Sequence, residues 1–161
     1  MSDKRSALLR AFIESDASPS GKWWIDVPVG LSIAEKDTYE SVDAICMTSR
    51  SQELPEEYPE HTGVAYVVHE GDTDAGVTKV DSFQSVRDSD IFSEETVTIV
   101  SVESGKSHLS TVGKLLAYRT LLQNDWDWEI DNMILVSDFD DSIVNFVCAK
   151  LGIRAVRVVP D

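Results

Sequence analysis

Residues 96–119, TVTIVSVESGKSHLSTVGKLLAYR, decide the predicted fold. The first eight of these residues are rich in β-branched side chains and predict a buried strand. Apolar side chains then recur at helical spacing, which predicts a helix that begins at Ser107 or His108 and ends near Gln123. A strand, a helix and a strand are predicted to follow at residues 133–137, 140–151 and 153–159. This β-α-β-α-β order is typical of an α/β fold with some parallel strand pairing.

The N-terminal half predicts further elements and an insertion. A helix is predicted at residues 4–15, and strands at residues 23–29, 40–49 and 63–68. Residues 50–62 contain two prolines and four glutamates, so we interpret them as a solvated loop. One short strand and a loop are predicted for residues 77–95. We therefore predict a single domain over residues 1–161, with an acidic insertion at about 50–95.

The net charge of the chain is −15, from 14 Lys and Arg against 29 Asp and Glu. Residues 31–103 hold most of the excess, with four basic and seventeen acidic side chains. This balance excludes a basic nucleic-acid-binding coat and a polybasic membrane anchor. Two interpretations remain open. One is an acidic surface for a metal or a basic partner. The other is adaptation to molar salt, which screens charges beyond about 3 Å, since a chain with few lysines resembles proteins of extreme halophiles.

The cysteines and the hydropathy pattern indicate where the protein resides. Cys46 and Cys148 lie far apart in apolar segments without the spacing of zinc ligands, so both are predicted to be buried, reduced thiols. No apolar run approaches the roughly 20 residues of a membrane-spanning helix. Residues 1–16 also lack the long apolar core of a signal peptide. We therefore predict a cytoplasmic protein with no membrane partner.

Two motifs resemble those of the PD-(D/E)XK nuclease superfamily, which has a restriction-endonuclease-like fold. Asp43 lies in YESVDAI, where the superfamily has a strand aspartate, and the run IVSVESGK is followed by GKLLAYR in the next predicted helix. The resemblance covers residues 5–50 and 96–160 and implies a central mixed β-sheet flanked by helices. It further implies Mg²⁺ or Mn²⁺ held by two carboxylates, with a lysine that stabilises charge on the phosphate.

The motif of this chain departs from the superfamily's E-x-K. In the matching register, Ser101 replaces the glutamate, Glu103 replaces the lysine, and Lys114 lies where the helix usually carries glutamine. The first hypothesis is therefore an eroded site in a non-catalytic binding or assembly module of nucleic-acid processing. The alternative is a divalent-metal-dependent DNA nuclease. Because alternate strand residues share a face, Glu103 would then join Asp43 as a metal ligand, and Lys114, or Lys106 in the turn, would be the catalytic cation. The resemblance also implies a homodimer, which we expect to form through an exposed sheet edge.

Several of these residues have structural alternatives. Asp43 lies within an apolar strand, so it is expected to pair with a cation such as Lys114 if it binds no metal. The Trp23–Trp24 and Trp126–Trp128 segments are interpreted as parts of the core, with the stacking of nucleic-acid bases as the alternative. The acidic cluster Asp138–Asp141 is interpreted as a cap on the helix that follows.

Overall fold

The computed structural model describes residues 2–33, 39–49, 60–62, 65–67, 79–89, 92–105 and 109–160. Within these residues the chain forms four helices and seven strands. The helices are α1 (Asp3–Glu14), α2 (Lys79–Asp88), α3 (Leu109–Trp126) and α4 (Ser142–Lys150). The strands are β1 (Lys22–Pro28), β2 (Ser41–Ser49), β3 (Glu60–Thr62), β4 (Ala65–Val67), β5 (Thr96–Glu103), β6 (Glu129–Ser137) and β7 (Ile153–Arg157).

The described strands form one mixed sheet in the order β3-β4-β1-β2-β5-β6-β7. β1, β2 and β5 are antiparallel neighbours, whereas β5, β6 and β7 are parallel. Parallel neighbours need a crossover connection, and α3 and α4 supply the two crossovers. The predicted α/β class, with a mixed sheet flanked by helices, is confirmed.

The sheet separates two apolar clusters, because successive strand residues point to opposite faces. On one face, Leu8, Leu9 and Phe12 of α1 belong to a cluster with Val100 and Val102 of β5. On the other face, α2, α3 and α4 contribute to a larger cluster that includes the alternate residues of the same strand. Strand β5 is therefore covered on both sides, which explains why six consecutive residues of it are buried.

The four tryptophans of the chain are buried. Trp24 packs edge-on against Phe83 and Phe92, with 5.2 Å between ring centroids in each pair. Trp126 stacks on Trp128 at 4.8 Å, and Nε1 of Trp128 donates a hydrogen bond of 2.7 Å to the carbonyl of Phe92. The prediction that the tryptophans belong to the core is confirmed, and base stacking on them is wrong as an alternative because their rings are covered.

The structure differs from the predicted elements mainly between residues 60 and 95. The strand predicted at 63–68 is borne out at β4, whereas β3 lies in the segment predicted as a loop at 50–62 and pairs with β4 in antiparallel fashion. The strand and loop predicted at 77–95 are wrong for residues 79–88, which form α2. Its buried Phe83 and Val86 lie one turn apart, and the polar residues around them obscure this short stripe in the sequence. The rest of the predicted acidic insertion, at 50–59, 63–64, 68–78 and 90–91, lies outside the described residues.

Other predictions concern the cap of α4, the cysteines and membrane segments. The side chain of Asp141 accepts hydrogen bonds from the amides of Ile143 and Val144 at 2.9 and 3.1 Å, so its predicted role as a helix cap is confirmed. Cys46 and Cys148 are buried, as predicted, and burial raises the pKa of the Cys148 thiol. None of the helices that the structure describes has the length and apolar character of a bilayer-spanning segment.

Candidate functional site

Asp43 and Ser101 lie side by side where β2 stops pairing with β5. The antiparallel ladder between these strands runs as far as Ala44 and Val100. Asp43 is the next residue of β2 and Ser101 the next residue of β5, and both are buried. β5 continues beyond this point along β6 to Glu103. The two strands thus place a carboxylate and a hydroxyl at the point where their backbones separate.

The guanidinium of Arg5, from the first turn of α1, binds Asp43. Its Nη2 donates to both carboxylate oxygens at 2.7 Å, and its Nε donates to the carbonyl of Val102 at 3.0 Å. The Val102 amide in turn donates to Oδ2 of Asp43 at 2.7 Å. The Arg5 and Asp43 side chains therefore satisfy both backbone groups of Val102 in place of a neighbouring strand.

Arg5 resolves the question of which cation neutralises Asp43. The sequence suggested Lys114, whereas the structure pairs Asp43 with Arg5. The Asp43 side chain is only 11% exposed, and its burial raises the pKa of the carboxyl above the usual 3.8, although the Val102 amide and the Arg5 charge act in the opposite direction. A carboxylate at this depth needs a charge partner and hydrogen bonds, because water cannot supply them.

The sequence of α1 carries a signal for the role of Arg5. Arg5 precedes Leu8, Leu9 and Phe12 by three, four and seven residues, so it lies on the apolar stripe of α1. A cation on the core-facing stripe of a helix needs an acidic partner on the element against which that helix packs. The buried strand aspartate, Asp43, was the available partner.

The three residues predicted from sequence as site residues line one cavity of about 460 Å³. Asp43, Glu103 and Lys114 come to it from β2, β5 and α3, and Arg5 lines it from α1. Further polar lining comes from carboxylates, hydroxyls and a phenol, namely Asp26, Glu40, Ser41, Ser101, Ser104, Thr111 and Tyr118. The sequence prediction therefore brought together residues that the fold also brings together.

Within the cavity, Glu103 and Lys114 have different surroundings. Glu103 is half-buried and its Oε1 accepts a hydrogen bond of 2.8 Å from Oγ1 of Thr111, at the start of α3. Lys114, one turn further along α3, is exposed and forms no ion pair with any residue that the structure describes. The Lys114 ammonium is thus available to a ligand in the cavity. The carboxylate of Glu103, the predicted metal ligand, already accepts a hydrogen bond from Thr111 of α3.

A second ion pair fixes the turn beside the cavity. Oδ2 of Asp138 lies 2.9 Å from Nζ of Lys4, and its Oδ1 accepts a 2.7 Å hydrogen bond from the amide of Gly105. Gly105 has a φ of 80°, which glycine adopts without strain. The Lys4 and Gly105 contacts lower the pKa of the Asp138 carboxyl below 3.8. Asp138, interpreted from sequence as part of a helix cap, instead joins the start of α1 to the end of β5.

Tyr118 and Glu40 close the cavity on the side of α3. The Tyr118 hydroxyl donates to Oε2 of Glu40 at 3.4 Å. Burial and the Glu40 charge raise the pKa of this phenol above 10.0, so the hydroxyl stays protonated. Both side chains line the cavity and add polar groups to it.

The described side chains of the site are not arranged as a ligand set for a divalent cation. Mg²⁺ and Mn²⁺ prefer several oxygen ligands, carboxylates above all. Both oxygens of Asp43 are bound to Arg5, and Ser101 stands where a second strand carboxylate is expected. Across the described parts of the chain, no group of three or more His, Cys, Asp or Glu side chains is arranged to hold a metal ion. The catalytic and metal-binding roles of Asp43, Glu103 and Lys114 stay predictions.

Comparison with known proteins gives no match: no protein-family model, no curated protein and no solved structure is detectably similar to this chain. The site is therefore interpreted from its own residues.

Proposed function

We propose that this chain is a restriction-endonuclease-like domain with an eroded catalytic site, which acts as a non-catalytic binding or assembly module in nucleic-acid processing. The observation that carries the proposal is the Arg5 guanidinium bound to both oxygens of Asp43. In an active nuclease of this fold, that carboxylate would face a metal ion. Here an organic cation that belongs to the chain itself neutralises it.

The order of the elements supports the fold assignment. A helix, three antiparallel strands, a helix and a parallel strand follow one another as α1, β1, β2, β5, α3 and β6, with β3, β4 and α2 inserted before β5. Asp43 and the two residues that match the E-x-K positions, Ser101 and Glu103, line one cavity. This juxtaposition supports the proposal of a nuclease-like site whose chemistry has been altered by substitution.

The electrostatics of the site support the loss of metal-dependent catalysis. Nη2 of Arg5 donates to both oxygens of Asp43, while Nε of the same guanidinium is held by the Val102 carbonyl. A divalent cation would have to displace Nη2 and leave the guanidinium charge next to its own, which Coulomb repulsion opposes. The second carboxylate, Glu103, lies two residues beyond Ser101, and Thr111 already donates to it.

A divalent-metal-dependent DNA nuclease is the second candidate, because Asp43, Glu103 and Lys114 share one cavity. In that case Lys114 would approach the phosphate, and Asp43 and Glu103 would face Mg²⁺ or Mn²⁺. The net charge of −15 would repel DNA in dilute buffer, although molar salt screens that repulsion.

Calorimetric titration in molar KCl tests the proposal. Wild type and Asp43→Ala are each titrated with Mn²⁺ and with Mg²⁺, and both are incubated with single- and double-stranded DNA. We expect no saturable binding that depends on Asp43 and no cleavage of either DNA. Saturable Mn²⁺ binding by wild type that Asp43→Ala abolishes, together with DNA cleavage, would overturn the proposal in favour of the nuclease.

A restoring variant tests the fold assignment separately. Arg5→Ala removes the guanidinium, and Ser101→Glu with Glu103→Lys rebuilds the E-x-K motif. We expect the folded triple variant to bind Mn²⁺, with Arg5→Ala alone as the matched control that binds more weakly. A triple variant with a native circular dichroism spectrum and no Mn²⁺ binding would count against the restriction-endonuclease-like assignment.

A further inference from the structure

Helix α4 exposes an apolar stripe that the rest of the described chain does not cover. Val144 and Cys148 face the sheet and are buried, and Val147 is partly buried against the same cluster. On the opposite side, Ile143 is 65% exposed and Phe146 is 63% exposed. Ile143 and Phe146 lie one turn apart on this exposed side. Two large apolar side chains that adjoin on a helix surface form a patch that a partner can cover.

The outer stripe carries opposite charges at its two ends. Residues 143, 146 and 150 fall within a narrow sector of the helix at 100° per residue, and Nζ of Lys150 lies 5.5 Å from the centroid of the Phe146 ring. The exposed carboxylate of Asp140 lies at the other end, where it accepts a 2.7 Å hydrogen bond from Asn145. The stripe thus runs from an acidic end, through two apolar side chains, to a basic end.

Such a stripe is complementary to itself when a second copy is turned end for end. A two-fold axis that crosses the stripe at the level of residues 144 and 145 would place Ile143 of each copy against Phe146 of the other. The same rotation would bring Lys150 of each copy to the end of α4 where Asp140 of the other copy lies. Two-fold symmetric contacts use one patch twice, and this patch matches itself in both apolar surface and charge.

We infer that this protein forms a two-fold symmetric dimer through antiparallel packing of α4 on α4 of a second copy. This surface differs from the sheet edge expected from sequence. The β7 edge is a poorer partner for itself, because exposed Arg154 and Arg157 would approach their equivalents without any acidic residue between Ser142 and Pro160 to neutralise them. The dimer does not depend on whether the cavity binds metal.

Sedimentation equilibrium in molar KCl, from about 1 to about 100 μM protein, tests the dimer. We expect wild type to be dimeric in this range and Ile143→Glu to weaken the dimer by at least about thirtyfold, as for a central anchor residue. Ile33→Glu is the matched control, since Ile33 is 63% exposed and lies outside α4, and it should leave the dissociation constant unchanged. Circular dichroism verifies that each variant is folded.

A charge exchange tests the orientation of the two helices. At the lowest KCl concentration that keeps the protein folded, Asp140→Lys and Lys150→Glu should each weaken the dimer by about fivefold. The double variant should restore it, because the charges then meet in exchanged positions. A wild type that stays monomeric, or a dimer that neither Ile143→Glu nor the charge variants weaken, would overturn the inference and leave this face to a different partner.

Discussion

At the scale of single residues, Arg5 and Asp43 act together as a substitute for a piece of strand. The backbone of Val102 forms with these two side chains the hydrogen bonds that further pairing between β2 and β5 would have supplied. Both contacts of Arg5 are distant in sequence: Asp43 lies 38 positions and Val102 lies 97 positions further along the chain. A small change in either side chain therefore affects both the docking of α1 and the end of the β2–β5 ladder.

Arg5→Ala is expected to destabilise the protein by about 2 kcal/mol, because it leaves a buried carboxylate and a backbone carbonyl without their donor. Urea unfolding in molar KCl measures the loss. Lys4→Ala is the matched control from the same turn: the Lys4 side chain is 61% exposed, so its ion pair should contribute less than about 1 kcal/mol. Equal midpoints for Arg5→Ala and wild type would contradict this role of Arg5.

Asp138 predicts a defined pH dependence. Its folded-state pKa is lowered, first by the hydrogen bond with Lys4 and then by the Gly105 amide. A lowered carboxyl pKa stabilises the fold above the unfolded value of 3.8, and this contribution is lost as the pH falls through the folded pKa. The stability advantage of wild type over Asp138→Asn should therefore be larger at about pH 6 than at about pH 3. Urea unfolding at both pH values measures it, and a constant difference would refute the assignment.

The sequence could predict part of the site and not the rest. The period of two along a strand placed Ser101 and Glu103 on one face, and the motif order brought Asp43 and Lys114 near them. The partner of Asp43 depended on how α1 docks on the sheet. That docking is a tertiary contact. The periodicity of a single helix or strand shows which face is apolar, but it does not show which element packs against that face. Arg5 could be found only by asking why a cation lay on an apolar stripe.

At the scale of elements, predictability followed the strength of each pattern. β5 has six consecutive buried residues. Its β-branched residues predict a strand at 96–103, and the observed strand has the same bounds. α3 has a long repeating apolar stripe and was also predicted. α2 was not, because it buries only Phe83 and Val86 among its described side chains, and most of the remaining residues are polar. Short helices gain most of their stability from tertiary packing, so their sequences carry a weak signal.

Asp141→Ala tests the cap of α4. The loss of two hydrogen bonds to the first turn should reduce the free energy of unfolding by about 1 kcal/mol. Asp141→Ser is the matched control, because serine is also a good cap and should retain most of that stability. Thermal and urea unfolding of both variants at one protein concentration gives the comparison. If alanine and serine behave alike, the cap does not stabilise α4.

At the scale of the whole molecule, the net charge of −15 bears on the ionic strength that the protein needs and not on its architecture. The sheet and its two apolar clusters account for the architecture, whereas the acidic side chains repel one another across the surface in dilute buffer. This repulsion is screened at high ionic strength. The acidic composition therefore predicts that the protein is most stable at high ionic strength, whereas it says nothing about the order of its strands.

The melting temperature should rise as KCl increases from about 0.2 to about 2 M, because screening removes the repulsion between carboxylates. Circular dichroism melting curves measure this rise. Sucrose, which stabilises compact states without screening charge, is the control and should give a smaller increase at equal osmolality. A melting temperature that is insensitive to KCl would contradict the prediction of salt adaptation.

The Val102 amide donates to a side chain and not to a neighbouring strand. Its exchange with deuterated water therefore reports a different motion from that of the other β5 amides. An amide exchanges only while its hydrogen bond is open, and local openings are more frequent than unfolding of the core. The neighbouring amides of β5 are protected by backbone ladders and follow the opening of the sheet. Val102 is protected by the Asp43 side chain, which Arg5 holds in place, so its deuteration records how often the first turn of α1 lifts away. The exchange rate of this one amide thus reports the fraction of time for which the Val102–Asp43 hydrogen bond is open.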